Sequence, residues 1–144
     1  MKLSAIVTGF AAFSAPLLAQ ESAKSLEDFR WEHRILLAKI ENEKQLAAFN
    51  LELDQYAPEL LDRKLVVLYT EGDHLWYRFL DTPPVESGKL IEQIGSKLKD
   101  QDLVLIGLDG GAKAQFDWSN FELQNVFAQI DRMPMRRAEL RERQ

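Results

Sequence analysis

The sequence predicts one α/β domain, built on a four-stranded mixed sheet with helices on both faces. Three observations predict it. Short segments rich in Ile, Leu and Val recur along the chain, and helical stripes separate the earlier ones. A glycine-rich turn then joins two apolar segments as a hairpin. A last helical stripe follows, so the predicted order is β-α-β-α-β-β-α.

The first half of the domain predicts two parallel strands joined by a helix. The apolar run at residues 35–38 indicates a central strand buried on both faces. The helix that follows is predicted from one apolar stripe, formed by Leu46, Phe49, Leu53, Tyr56 and Leu60. Pro58 lies inside this stripe and predicts a break near Tyr56. Residues 64–69 are β-branched and apolar, and they predict the second strand.

The middle of the chain is less clearly patterned. Residues 71–73, Glu-Gly-Asp, predict a turn. Two alternatives stay open for Leu75 to Leu80, an extra strand or an extended excursion. Thr82, Pro83 and Pro84 are expected to open the second helix, because proline is tolerated in a first turn.

The last third predicts a hairpin and a closing helix. Residues 103–108 and 112–116 are the two strands, joined by a tight turn at 109–111, Asp-Gly-Gly. Residues 119–122, Ser-Asn-Phe-Glu, form the pattern of a capping box. The helix it predicts has its apolar stripe at Leu123, Val126, Phe127 and Ile130 and ends before Pro134. Residues 135–144 are charged and form either a short helix or a frayed tail.

This order is that of thioredoxin-like domains, for which the expected sheet order is 2-1-3-4. Such a domain carries Cys-x-x-Cys at the start of its first helix, where residues 41–44 here read Glu-Asn-Glu-Lys. The whole chain contains no cysteine. Residues 99–102 also lack the proline that faces the motif in thioredoxin-like enzymes. Thiol-disulfide oxidoreductase and peroxiredoxin activities are excluded, because both need a thiolate.

The first nineteen residues predict a signal peptide. A positive start at Lys2 precedes an apolar stretch at residues 3–15, and a small residue, Ala19, precedes the expected cut at Gln20. The alternative, a membrane anchor, is disfavoured because the stretch falls short of the ~20 apolar residues of a span. The mature protein is therefore expected to be periplasmic or secreted, without a stable membrane span.

The chain length and net charge limit the number of domains and the class of binding partner. The chain has 144 residues, which suits one domain, and its net charge is -5. An acidic domain disfavours nucleic-acid binding, because the phosphate backbone demands a basic face. The predicted units are a signal peptide (1–19), a flexible lead-in (20–28), a thioredoxin-like domain (29–140) and a charged tail (141–144).

Four strings then carry a resemblance to one family. They are the aromatic-arginine-leucine motif at 31–37, the strand entry at 62–67, the hairpin at 105–113 and the closing signature at 130–139, which is the most specific. Across residues 25–139 the chain resembles domain of unknown function 4174, the bacterial branch of the DUDES domains. The resemblance implies a thioredoxin-like, peroxiredoxin-related fold and an exported location. It brings no catalytic residues.

The arginines near the C-terminus are the best candidate site. Five arginines lie within residues 132–143 of an acidic protein, and a guanidinium presents a planar fork suited to carboxylate or phosphate. We expect a binding site that joins Arg136 and Arg137 to the hairpin turn. Its further members are expected to be Arg132, Asp109 and Lys113. The alternative is a helix end at which Arg136 or Arg137 pairs with Asp131, Glu139 or Asp109.

Arg34 is unusual because it is an arginine inside an apolar strand, flanked by Ile35, Leu36 and Leu37. A buried arginine needs a partner, and Asp131 or Asp109 is predicted. The alternative is an anion-binding arginine beside the end of the sheet at which a thiol site would lie.

The function these residues favour is an exported, non-catalytic binding or assembly module, whose partner is an unknown protein or a small anionic ligand. No cofactor is predicted, and no metal, because the only histidines, His33 and His74, have no third soft ligand. One alternative is an enzyme with non-thiol chemistry that uses Arg34, Glu43 and His33. Another is a purely structural envelope protein.

Overall fold

The computed structural model describes residues 22–86 and 88–144. The predicted signal peptide therefore lies outside the described residues. The fold is a mixed five-stranded sheet with strand order β3-β2-β1-β4-β5. β1 and β2 are parallel, and every other neighbouring pair is antiparallel. The strands are β1 (Arg34–Lys39), β2 (Leu65–Glu71), β3 (His74–Arg78), β4 (Leu103–Ile106) and β5 (Ala112–Phe116).

The prediction of four strands is wrong by one. The segment left open at residues 75–80 contributes β3, an edge strand that pairs with β2. The turn between them contains Gly72, whose φ of 64° lies in the left-handed region that glycine adopts without strain. The other four strands lie in the predicted 2-1-3-4 arrangement, so β3 extends the sheet without reordering it.

Within the described residues, five α-helices flank the sheet. They are α1 (Glu43–Gln55), α2 (Ala57–Asp62), α3 (Gly88–Lys97), α4 (Leu123–Asp131) and α5 (Pro134–Glu142). The predicted break near Tyr56 is confirmed, because α1 ends at Gln55 and Pro58 lies in the first turn of α2. The charged tail takes the helical alternative, as α5. No helix in the described part of the chain is long and apolar enough to cross a membrane.

Two predicted helix starts are wrong. Residues 83–86 have no regular structure, and α3 begins at Gly88. Pro84 disfavours the α conformation of Pro83, so a helix is not expected to start at these prolines. The predicted capping box also does not start α4. Residues 118–120 form a 3-10 turn, and the amide of Leu123 at the start of α4 donates to Glu52 of α1 at 3.3 Å. A tertiary contact therefore takes the place of the local cap.

The sheet is covered on both faces, as predicted. Leu36 and Ala38 of β1 pack into a core with α1, α2 and α4. Ile35 and Leu37 point to the opposite face and pack with α3 and with a 3-10 turn at Leu26–Phe29. These four β1 residues are at most 1% exposed, which confirms the central strand.

Candidate functional site

Arg136 of α5 is folded into the protein. Its side chain is 2% exposed, and every nitrogen of its guanidinium has a partner. Nη2 donates to Asp62 at 2.6 Å, Nη1 to the Asp62 carbonyl at 3.0 Å and to Glu139 at 3.4 Å, and Nε to Asp131 at 3.3 Å. The predicted helix-end pairing with Asp131 and Glu139 is confirmed, whereas Asp62 was not foreseen. Arg136 cannot take an external anion without breaking these bonds.

Arg34 lies fully buried at the first position of β1. Its Nη1 and Nη2 donate to the two carboxylate oxygens of Glu139 at 3.3 and 3.1 Å, and Nη1 also donates to the Arg63 carbonyl at 2.8 Å. The predicted partners Asp131 and Asp109 are wrong, because α5 carries Glu139 back over the start of β1. Its Nε is the one buried side-chain nitrogen or oxygen, among the residues described, that has no hydrogen-bond partner.

Two further arginines complete one charged cluster. Arg63 forms a two-point pair with Asp131 at 2.9 and 3.0 Å, and its guanidinium lies 4.5 Å from the centre of the Phe127 ring. Arg143 pairs with Asp62 at 2.8 Å. These arginines and their carboxylate partners form the arginine cluster. It has seven side chains: Arg34, Arg63, Arg136, Arg143, Asp62, Asp131 and Glu139. Four cations against three carboxylates leave the cluster with one net positive charge.

Ionisation within the cluster is shifted in the direction that the pairing requires. The hydrogen bond from Arg136 holds the pKa of the Asp62 carboxyl below its usual value. Burial acts to raise the pKa of Asp131, but the hydrogen bond and charge of Arg63 outweigh it and the pKa is lowered. Burial likewise acts to lower the pKa of Arg136, and its carboxylate partners raise it above the usual value. The charged forms are therefore favoured in the folded protein.

We expect the cluster to make stability depend on pH in the acid range. Carboxyls whose pKa is lowered by folding contribute stability that is present above their unfolded pKa of 3.8 and is lost as the pH falls below it. The free energy of unfolding, measured by urea denaturation at a series of pH values, should fall steeply below about pH 4. Asp62→Asn should flatten this fall, and Asp73→Asn, in an exposed turn, should leave it unchanged. An equal slope for wild type and Asp62→Asn would contradict the prediction.

A cavity lies between the β4-β5 turn and the start of α5. Its volume is about 300 Å³, and it is named the turn pocket here. Its walls are formed mainly by apolar groups, with charged side chains at Arg34, Asp109 and Lys113. The full lining is Arg34, Gly107, Leu108, Asp109, Lys113, Met133, Pro134 and Met135. The pocket therefore joins the predicted turn residues to Arg34 and to the segment before Arg136.

The turn itself is held by Asp109. Its carboxylate accepts from the Gly111 amide at 2.9 Å and from Lys113 Nζ at 2.9 Å. The Lys113 hydrogen bond is the main reason why the pKa of Asp109 is lowered. A Cβ at Gly107 would lie 2.7 Å from the flexible end of the Lys113 side chain, which would have to shift. The Lys113 charge is therefore paired at the rim of the turn pocket.

The structure brings together only part of the predicted site. Arg34, Asp109 and Lys113 line the turn pocket, whereas Arg136 lies in the arginine cluster. Arg132 and Arg137 are exposed and form no ion pair among residues 22–86 and 88–144. The α5 segment does reach the turn, but through Met133, Pro134 and Met135 rather than through the arginines that follow.

The start of α1, where a thiol site would lie, is an ordinary helix cap. Asn42 accepts from the Gln45 amide at 2.8 Å, and Gln45 accepts from the Glu41 amide at 2.8 Å. Arg34 and Glu43 flank opposite ends of β1, a strand of six residues. At about 3.3 Å per residue, that strand separates them by roughly 20 Å. The expectation that Arg34 stands beside the thiol-site end is wrong, and the residues of the enzyme hypothesis do not meet.

The two histidines occupy separate places. His33 lies half-buried before β1, and burial lowers its pKa. His74 begins the edge strand β3 and lies 3.5 Å from the Glu86 carboxylate. Within the described ranges, no three histidine, aspartate or glutamate side chains come close enough together to hold a metal ion.

Most of the chain matches one protein family. A family model described as Domain of unknown function (DUF4174) matches residues 25–139, and the chain belongs to this family. The match covers β1 to β5, the turn pocket and α5 as far as Glu139. No curated protein and no solved structure matches the chain significantly.

Proposed function

We propose that this member of the DUF4174 family is an exported, non-catalytic binding module that takes a small ligand in the turn pocket. One observation carries the proposal. A cavity of about 300 Å³ is lined by the fully buried Arg34, whose Nε retains an unused N–H group. This volume is at the lower end of the ~300–1,000 Å³ of small-molecule sites.

The unused Nε group of Arg34 supports a bound acceptor. A buried donor without a partner costs about 1–3 kcal/mol, more beside a charge, so native proteins keep few of them. The other two guanidinium nitrogens of Arg34 are engaged by Glu139 and the Arg63 carbonyl. A ligand oxygen at Nε would complete the set and recover that cost.

Backbone strain beside the turn pocket gives independent support. Trp31 has a φ of 68°, a conformation that is unfavourable for a bulky residue, and its side chain is 61% exposed. Its amide donates to the carbonyl of Leu108, a pocket residue, at 2.7 Å. Strained residues persist where function or the surrounding structure requires them. Trp31 does not line the pocket itself, but an exposed tryptophan held in this way against a pocket residue is consistent with a binding surface beside it.

The fold and location proposed here are those of a thioredoxin-like domain that has lost its redox chemistry. The four strands in 2-1-3-4 order support the fold, with β3 as an added edge strand. The lack of cysteine and the capped start of α1 support the loss of thiol chemistry. The sequence of residues 1–19 supports export, with cleavage near Ala19-Gln20.

We expect a ligand of the turn pocket to raise the melting temperature of the protein. The test is thermal unfolding against a panel of carboxylic acids, inorganic anions, glutathione, metal ions and envelope glycans at matched ionic strength. A ligand at a hundred times its dissociation constant adds about 2.7 kcal/mol to the free energy of unfolding. Met135→Trp should abolish the shift, because the larger side chain at the 41% exposed Met135 narrows the pocket.

The matched control is Leu51→Trp. Leu51 is 71% exposed on α1 and does not line the turn pocket. The Leu51→Trp variant carries the same ring at a surface position, so a ligand should raise its melting temperature as much as that of wild type. A shift that persists in Met135→Trp would place the ligand elsewhere. No shift with any compound would overturn the binding function.

A further inference from the structure

Resting on the function just proposed, we infer that the turn pocket selects small monocarboxylic acids with a short or medium apolar chain. The carboxylate is held by Arg34 Nε and Lys113, and the chain lies against Leu108, Met133 and Met135. Three features of the pocket favour this class of ligand: its charge, its free donors and its apolar wall.

Charge favours a single negative group. The arginine cluster behind the pocket holds four cations and three carboxylates, and at the rim Lys113 is matched by Asp109. The excess cation is Arg143, whose side chain is 52% exposed, and the two cations that line the pocket itself are Arg34 and Lys113. One negative group can contact both of them, whereas a neutral ligand gains no charge attraction from either.

The available donors favour a carboxylate over phosphate or sulfate. Phosphate and sulfate present three or four acceptor oxygens, so they need more donors than the two oxygens of a carboxylate. In Arg34 the Nη1 and Nη2 groups are occupied by Glu139 at 3.3 and 3.1 Å, which leaves Nε alone. One N–H and one nearby ammonium suit the two oxygens of a carboxylate.

The wall of the pocket favours an apolar chain. The apolar part of the wall is formed by Leu108, Met133, Pro134 and Met135. Methionine is unbranched and flexible, so it can fit irregular ligands. Arg34 itself is 0% exposed, so the ligand reaches Nε only when the flexible side chains of the wall move aside. Met133, Met135 and Lys113 are all long and unbranched, and they can make that movement.

Titration calorimetry of octanoate and of octanamide tests this inference. The two probes share one chain length and differ in the charge of the head group. Octanoate should bind at least about tenfold more tightly, since hydrogen bonds to a charged group exceed neutral ones by about that factor. Raising the salt concentration should weaken octanoate and leave octanamide unchanged.

Asp109→Asn should strengthen octanoate binding, whereas a substitution that merely disturbs the fold would weaken it. The amide oxygen keeps an acceptor for the Gly111 amide, while Lys113 loses its competing carboxylate. Octanoate affinity should rise about two- to fivefold, the range set by an exposed ion pair. Arg132→Gln removes an exposed charge outside the pocket and should leave the affinity at the wild-type value.

The outcomes separate this inference from the proposed function. Equal binding of octanamide and octanoate, or unchanged octanoate affinity in Asp109→Asn, would overturn the carboxylate assignment while leaving the pocket as a binding site. The same holds if neither probe binds but another compound gives a thermal shift that Met135→Trp abolishes. If no compound gives such a shift, the proposed binding function is overturned as well.

Discussion

Replacing Glu139 with alanine should lower the free energy of unfolding by about 3–5 kcal/mol, the usual cost of breaking a buried ion pair. Glu139 is the carboxylate that neutralises Arg34, which is fully buried, and it also bonds Arg136. Without it Arg34 would keep only a carbonyl partner in the protein interior. Urea denaturation, with the slope checked for constancy, measures the loss.

Glu142→Ala is the matched control for this prediction. Glu142 lies on the same helix, α5, but is exposed, so its removal should change stability by less than about 0.5 kcal/mol. If Glu139→Ala is as stable as Glu142→Ala, then Glu139 does not hold Arg34, and α5 does not pack over the start of β1 as described.

Phe127→Ala should cost a similar amount, about 3–5 kcal/mol, because it removes a large side chain from the core. Phe127 is 6% exposed, its ring lies edge-on to Tyr56 with centroids 5.9 Å apart, and the Arg63 guanidinium lies over it. The truncation therefore opens a cavity beneath α4 and removes the surface on which Arg63 is held against Asp131.

Two further variants separate these causes. Asn125→Ala changes an exposed position on the same helix and should have little effect on the urea midpoint. Phe127→Leu keeps most of the apolar volume but removes the ring, so its loss should be smaller than that of alanine. A Phe127→Ala protein that unfolds at the wild-type midpoint would refute the placement of α4 on the sheet.

The strands that could be predicted are those whose local chemistry agrees with their place in the fold. Residues 35–38 are apolar throughout because β1 is covered on both faces, and sequence alone identifies such a segment. β3 is different. It is an edge strand in which only Leu75 is buried and its neighbours are polar or aromatic, so its pattern does not separate a strand from an extended loop.

The sequence predicts that Arg34 pairs with a carboxylate, but not which residue supplies it. A buried arginine demands a carboxylate, and several acidic residues were available. Glu139 lies 105 residues away in the chain, so the choice depends on how α5 packs, which no local pattern specifies. The same holds for Asp62, whose pairing with Arg136 spans 74 residues.

The predicted site residues and the turn pocket have Arg34, Asp109 and Lys113 in common. The hairpin turn and the α5 segment do meet, but the exposed arginines do not form the contact. Pro134 starts α5, and this fixes which side chains face the turn and which face Asp62 of α2. Met133 and Met135 line the pocket, whereas Arg136 turns into the cluster.

Occupation of the turn pocket by a ligand can be observed by NMR of the protein labelled with ¹³C at the methionine methyl groups. The chain has three methionines, Met1, Met133 and Met135, and the last two line the pocket. Met133→Leu and Met135→Leu assign their signals. Titration with octanoate should shift both pocket signals, and octanamide at the same concentration should shift them less. Saturable binding of octanoate that moves neither pocket signal would contradict the account.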